Sequence, residues 1–169
     1  MKNVRLYLFV FVILLSGCVT PPPPPQWNAV SDAAEAEYLP YLTTGTGSVT
    51  GQAFLSQRNG GVVKAAGRTV TLDPATSVGN EWWGKAGKLW VYRSFTPPSP
   101  GFAKARRTTV ADADGKVKFS SLAAGKYYVR TEVTWEIGAD SPTQGGLVGQ
   151  PLEVHEGQAT EVILNQYPQ

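Results

Sequence analysis

The sequence predicts an all-β fold, a single antiparallel β-sandwich of about seven strands. Two observations carry this. From Ser48 onward apolar and polar residues alternate with a period of two in one short run after another. The runs are separated by turn formers, among them Asn59-Gly60-Gly61, Asp73-Pro74, Asp114-Gly115 and Glu156-Gly157. The densest stretch, Asp112 through Val129, reads as strand, turn, strand. Asp114-Gly115 reverses the chain, Val117 and Phe119 share a face, Leu122 points inward, Gly125 turns again, and Tyr127 and Val129 resume the alternation.

Residues 1–17 form an export signal. Lys2 and Arg5 give a positive start, residues 6–15 are an unbroken apolar run, and Ser16-Gly17 closes it with small side chains. The run is well short of the roughly 20 residues a membrane-spanning helix needs. Leu15-Ser16-Gly17-Cys18 resembles the lipobox of bacterial lipoproteins. The resemblance implies cleavage between Gly17 and Cys18 and lipid on the Cys18 thiol. Cys18 is the one cysteine of the chain, so an intramolecular disulfide is impossible, and lipidation removes an otherwise reactive thiol. Val19, not aspartate, follows Cys18, which by resemblance to the sorting rule of enteric bacteria implies the outer membrane, facing the periplasm or the surface.

Processing also removes the basic bias. The chain carries 15 Lys and Arg against 13 Asp and Glu, and losing Lys2 and Arg5 leaves 13 of each. A nearly neutral mature protein gives no support to a nucleic-acid partner.

Residues 18–46 are the tether. Pro21 to Pro25 form a polyproline spacer of roughly 3.1 Å per residue that holds the domain off the membrane. Residues 31–39 predict a short helix capped by Asp32 with Glu35 three residues on and stopped by Pro40. Trp27, Tyr38, Leu39, Tyr41 and Leu42 supply apolar material to lay against the domain, and residues 43–47 form a hinge.

Residues 47–166 are the sandwich. Val49, Gly51, Ala53 and Leu55 share one face of a first strand, Val62-Val63-Lys64 is a short edge piece, and residues 68–72 are a strand ended by Asp73-Pro74. Residues 75–104 are the least regular part. Glu81-Trp82-Trp83-Gly84 predicts a helical turn, residues 88–93 a strand, and Thr96-Pro97-Pro98-Ser99-Pro100-Gly101 a loop. Residues 106–111 lead as a strand into the dense stretch. Tyr127, Val129, Val133 and Trp135 alternate with Tyr128, Arg130, Glu132 and Thr134 in the longest strand. Residues 141–146 are a loop, Leu152 and Val154 mark a strand, and Val162-Ile163-Leu164 a final one.

Gly47-Ser48-Val49-Thr50-Gly51-Gln52-Ala53, Ala66-Gly67-Arg68-Thr69-Val70-Thr71-Leu72, residues 109–119 and residues 122–129 together resemble the carboxypeptidase regulatory-like domain. The resemblance implies a transthyretin-like, seven-stranded sandwich, with residues 154–164 as its closing hairpin. It brings no catalytic residue, because in the metallocarboxypeptidases this module accompanies the catalytic domain.

The residues themselves point away from catalysis, metals and cofactors. A hydrolytic metal site needs several converging His, Cys, Asp or Glu ligands, and the chain has one histidine. His155 stands before a turn and reads as solvent-facing, and no Gly-x-Ser-x-Gly elbow presents a serine to it. One histidine also excludes the iron site of intradiol dioxygenases, whose related sandwich uses two histidines and two tyrosines. Asp112-x-Asp114-Gly115 lacks the closing glutamate of a calcium loop, since position 123 is alanine, and its aspartates read as turn formers.

Two features stay open. Trp82, Trp83, Trp90, Tyr92, Phe95 and Phe102 form an aromatic cluster that either exposes rings to a sugar or protein partner or caps an open end of the sandwich. Lys104-Ala105-Arg106-Arg107 is either a basic patch for acidic polysaccharide or anionic headgroups, or a charged strand edge that deters pairing. The functional expectation is a lipid-anchored, non-enzymatic envelope protein that binds or scaffolds an envelope protein or polysaccharide. The alternatives are an assembly subunit resembling the small transthyretin-like lipoproteins of type VI secretion systems, a carbohydrate-binding module using Trp82, Trp83, Trp90 and Tyr92, and, with no catalytic constellation behind it, an envelope enzyme.

Overall fold

A computed structural model describes residues 27–88, 97–138 and 141–169. Residues 1–26, with the expected export signal, Cys18 and the expected polyproline spacer, and Trp90, Tyr92 and Phe95 with most of the strand expected at 88–93, lie outside the described residues. The strands are β1 (Gly47–Ser56), β2 (Val62–Lys64), β3 (Thr69–Pro74), β4 (Arg107–Val110), β5 (Lys116–Leu122), β6 (Gly125–Trp135), β7 (Gln144–Val154) and β8 (Ala159–Leu164). They form two four-stranded sheets, one assembled on β1 with β2, β5 and β8, the other in the order β4-β3-β6-β7.

Alternation decides what each strand buries. Val49, Ala53, Leu55, Val117, Phe119, Leu122, Val162 and Leu164 from the first sheet meet Val70, Leu72, Tyr127, Val129, Val133, Val148 and Val154 from the second in one core. Each Val, Leu and Phe side chain among them contributes roughly 1.5–3 kcal/mol on burial. The Tyr127 hydroxyl donates to the Ala123 carbonyl (2.8 Å), so its polar tip is satisfied inside. The predicted β-sandwich is the fold.

Its topology departs from expectation in two places. The dense stretch is not one hairpin, because β5 lies in the first sheet and β6 in the second. Nor do residues 154–164 close as a hairpin, since β7 ends in the second sheet and β8 crosses to pair with β1 in parallel, from Ser48↔Ala159 to Ala53↔Leu164. A period of two names the buried face of a strand but neither its partner nor its direction. β8 is received on the edge of β1 that faces away from β5.

The Asp112 turn is built locally. Its Oδ1 accepts from the backbone N–H of Asp114 (2.8 Å) and Lys116 (2.9 Å), and Gly115 adopts a left-handed φ of +73°. The Gly115 carbonyl then accepts from Ala53 N–H (2.9 Å), which seats the turn on β1.

Helix α1 (Asp32–Ala36) forms where expected, but Ser31 caps it, its hydroxyl accepting from Ala34 N–H (3.3 Å). Pro40 does not end the segment. It occupies the first turn of a 3-10 helix, Leu39–Leu42, where a missing N–H costs nothing. Leu39 and Leu42 stay exposed, while Tyr38 is completely buried. The expected loop at 96–101 is in part helical. Ser99 caps α3 (Pro100–Ala105), with Pro100 at its first position. Similarly, β7 begins at Gln144, inside the expected loop.

Candidate functional site

Between β3 and β4, residues 77–87 and 99–105 lie over the outer face of the second sheet. Helix α2 (Ser77–Trp82), capped by the Thr76 hydroxyl, continues as a wide π-type turn, Trp83–Gly87, and α3 follows. Two carboxylates from the segment before β1 hold this layer. Glu37 accepts from Ser77 N–H (2.6 Å) and its hydroxyl (2.7 Å), and Glu35 accepts from Gly101 N–H (2.8 Å). The Ser77 bonds, backbone first, hold the Glu37 carboxyl below its ordinary range.

Beneath the layer lies a second core of Tyr38, Val78, Trp82, Trp83, Ala86, Phe102 and Ala105. Trp83 stacks on Tyr128 of β6, with centroids 4.4 Å apart and planes 8° off parallel. Trp82, wholly buried, touches Phe102 (5.1 Å) and carries the guanidiniums of Arg130 (4.9 Å) and Arg106 (5.2 Å) against its ring. Arg106 forks onto the buried Asp73 carboxylate with bonds of 2.5 and 2.9 Å. Arg130 donates to the Gly87 carbonyl (2.7 Å). Burial pushes the Asp73 carboxyl up against the pull of Arg106 and Arg130, and pushes Arg130 down to about 10, still charged at neutral pH.

These placements bear on the two open features among the described residues. Trp82 and Trp83 present no open ring face for a sugar, because their faces are occupied by Phe102, Tyr128 and the arginines. They cap the outside of the sheet. Of the basic cluster, Lys104 and Arg107 are exposed, but Arg106 turns inward to Asp73, and Arg107 stands on the edge strand β4. It is not a continuous basic patch. His155 is exposed, as its position before the turn suggests. Among the described residues no three His, Cys, Asp or Glu side chains gather as metal ligands.

Two of the clefts among the described residues bear on binding. One of about 370 Å³ opens beside the buried network and is lined by Arg68, Thr69, Thr71, Arg106, Arg130 and Glu132. Its guanidiniums are engaged internally, Arg68 donating to the Thr134 hydroxyl (2.7 Å) and the other two as above. The other, about 600 Å³, lies at one end of the sandwich. The β1–β2 turn brings Gln57, Arg58 and Asn59, the end of β6 brings Trp135, Glu136 and Ile137, the start of β7 brings Gln144 and Gly145, and Tyr167 arrives after β8. Trp135, expected on the core face of its strand, is half-buried at the rim. It packs against the core while the rest of it lines the cleft. Tyr167 is 56% exposed. No single stretch of sequence announces this site, because four distant segments build it.

With this geometry, the likenesses are informative. A crystal structure of a candidate carbohydrate-binding protein from Pseudomonas aeruginosa is 26% identical, superposes with a TM-score of 0.65, and matches over 83% of this chain and 100% of that one. A minor pilin of Streptococcus agalactiae is 16% identical with a TM-score of 0.40, over 73% of this chain and 44% of the pilin. No family model matches the chain, and no curated protein does.

Proposed function

We propose that this chain is a lipid-anchored protein of the cell envelope that binds carbohydrate without transforming it. The observation that carries the binding half is the likeness to the Pseudomonas aeruginosa structure over the whole of that chain, at 26% identity. The anchoring half rests on Leu15-Ser16-Gly17-Cys18 at the end of an export signal, and on Cys18 being the one cysteine. In this reading Cys18 carries acyl chains, each buried methylene holding it to the bilayer by about 0.8 kcal/mol. Pro21 to Pro25 then hold a sandwich of the transthyretin-like, carboxypeptidase regulatory-like kind away from the headgroups, with its clefts open to envelope polysaccharide.

Both halves are testable on the full chain. Cys18→Ala is expected to move the protein out of the lipid-anchored fraction, read as loss of acyl labelling and release from washed membranes; full retention with labelling intact overturns the anchor. The detergent-solubilised wild type is expected to bind oligosaccharides on a glycan array, and an array with no specific signal overturns the carbohydrate reading.

A further inference from the structure

The end cleft combines the two things a sugar ring requires of a protein. A pyranose has an apolar patch of C–H bonds that packs on an aromatic face, and a rim of hydroxyls that each donate and accept. Trp135 and Tyr167 supply aromatic surface in the cleft, and Gln57, Asn59 and Gln144 supply amides that both donate and accept. The volume, about 600 Å³, lies within the roughly 300–1,000 Å³ typical of small-ligand sites.

The backbone makes room for the larger ring. Gly145, opposite Thr134 on the neighbouring strand, has a φ of +96°, and a Cβ there would stand 2.0 Å from the Val133 carbonyl oxygen and 2.9 Å from the Trp135 Cζ3. Glycine thus lets the Trp135 ring lie close over β7. Among the described lining residues the charges are one cation, Arg58, and one anion, Glu136, both exposed, so the described lining has no net sign. That balance disfavours an acidic sugar, whose carboxylate would need an unopposed cation.

We infer that the cleft formed by Trp135, Tyr167, Gln57, Asn59 and Gln144 is the carbohydrate site and that it takes an uncharged oligosaccharide; the inference rests on the carbohydrate-binding reading above. The test starts from the neutral oligosaccharide that the detergent-solubilised full chain binds best on the array, titrated calorimetrically into wild type and variants. Trp135→Ala and Tyr167→Ala are each expected to weaken binding about tenfold or more, the usual effect of truncating an aromatic anchor. Tyr167→Ala removes an exposed ring outside the core, so it reports on binding even where Trp135→Ala perturbs folding. Arg68→Ala, in the other cleft, is expected to leave the affinity unchanged. Unaltered binding by Tyr167→Ala and Trp135→Ala, with loss in Arg68→Ala, overturns the site and leaves the carbohydrate reading standing. Binding of acidic glycans alone overturns the uncharged class. Binding of no glycan by the wild type overturns both the site and the function it rests on.

Discussion

Asp73→Asn removes a buried negative charge from the layer that covers the second sheet. Asp73 is completely buried, and both of its carboxylate oxygens are held by the Arg106 fork at 2.5 and 2.9 Å. The substitution leaves the Arg106 and Arg130 guanidiniums on the same Trp82 ring, at 5.2 and 4.9 Å, without the carboxylate that Arg106 grips in two bonds. Removing one partner of a buried pair costs about 3–5 kcal/mol, because the remaining charge is left uncompensated. For a domain of this size each kcal/mol lowers the midpoint of melting by roughly 3–5 °C, so Asp73→Asn is expected to melt some 10–20 °C below wild type at pH 7. Near-UV circular dichroism is the suitable probe, since Trp82 and Trp83 report on the layer itself. A variant that melts within about 2 °C of wild type refutes the view that this ion pair holds the layer on the sheet.

Two further predictions concern stability. Trp83→Ala removes the ring stacked on Tyr128 and is expected to cost about 3–5 kcal/mol in urea unfolding while leaving sugar affinity unchanged; weaker sugar binding by the folded variant contradicts the capping role. Glu156 accepts from the Thr46 hydroxyl, Thr46 N–H (3.0 Å) and Ala124 N–H (3.1 Å), and these bonds, side chain first, hold its carboxyl below the ordinary range. A lowered folded-state pKa gives stability that is complete above the unfolded value near 4.3 and is lost as pH falls through the folded one. Melting temperature is therefore expected to drop between about pH 5 and pH 3, and the drop to be smaller in Glu156→Gln; identical pH profiles contradict this role for Glu156.

The features legible in the sequence are the ones built from neighbouring residues. Asp112 and Gly115 make their turn with bonds spanning two to four residues, so Asp-x-Asp-Gly carries enough information to place it. The alternation along Val49, Ala53 and Leu55, or along Tyr127, Val129 and Val133, names the core face because burial of that face is what the alternation encodes. Partner choice is different in kind. The parallel pairing of β8 with β1 joins residues more than a hundred positions apart and leaves no local mark. Arg130 and Asp73 sit where alternation places surface side chains, and they are buried only because the chain after β3 returns over that face. Trp82 and Trp83 were visible as a cluster, but whether their rings were open or covered depended on Tyr128 and Phe102 from other elements. The end cleft is the extreme case, with Gln57, Trp135, Gln144 and Tyr167 gathered from both sheets and the C-terminal segment.

The most direct test of the central claim is a titration of a neutral oligosaccharide into the detergent-solubilised full chain, selected from the glycan array and followed by calorimetry. Saturable binding that falls about tenfold in Tyr167→Ala is the expected result. Absence of saturable binding to any glycan on the array, by a protein whose melting transition shows it folded, contradicts the claim.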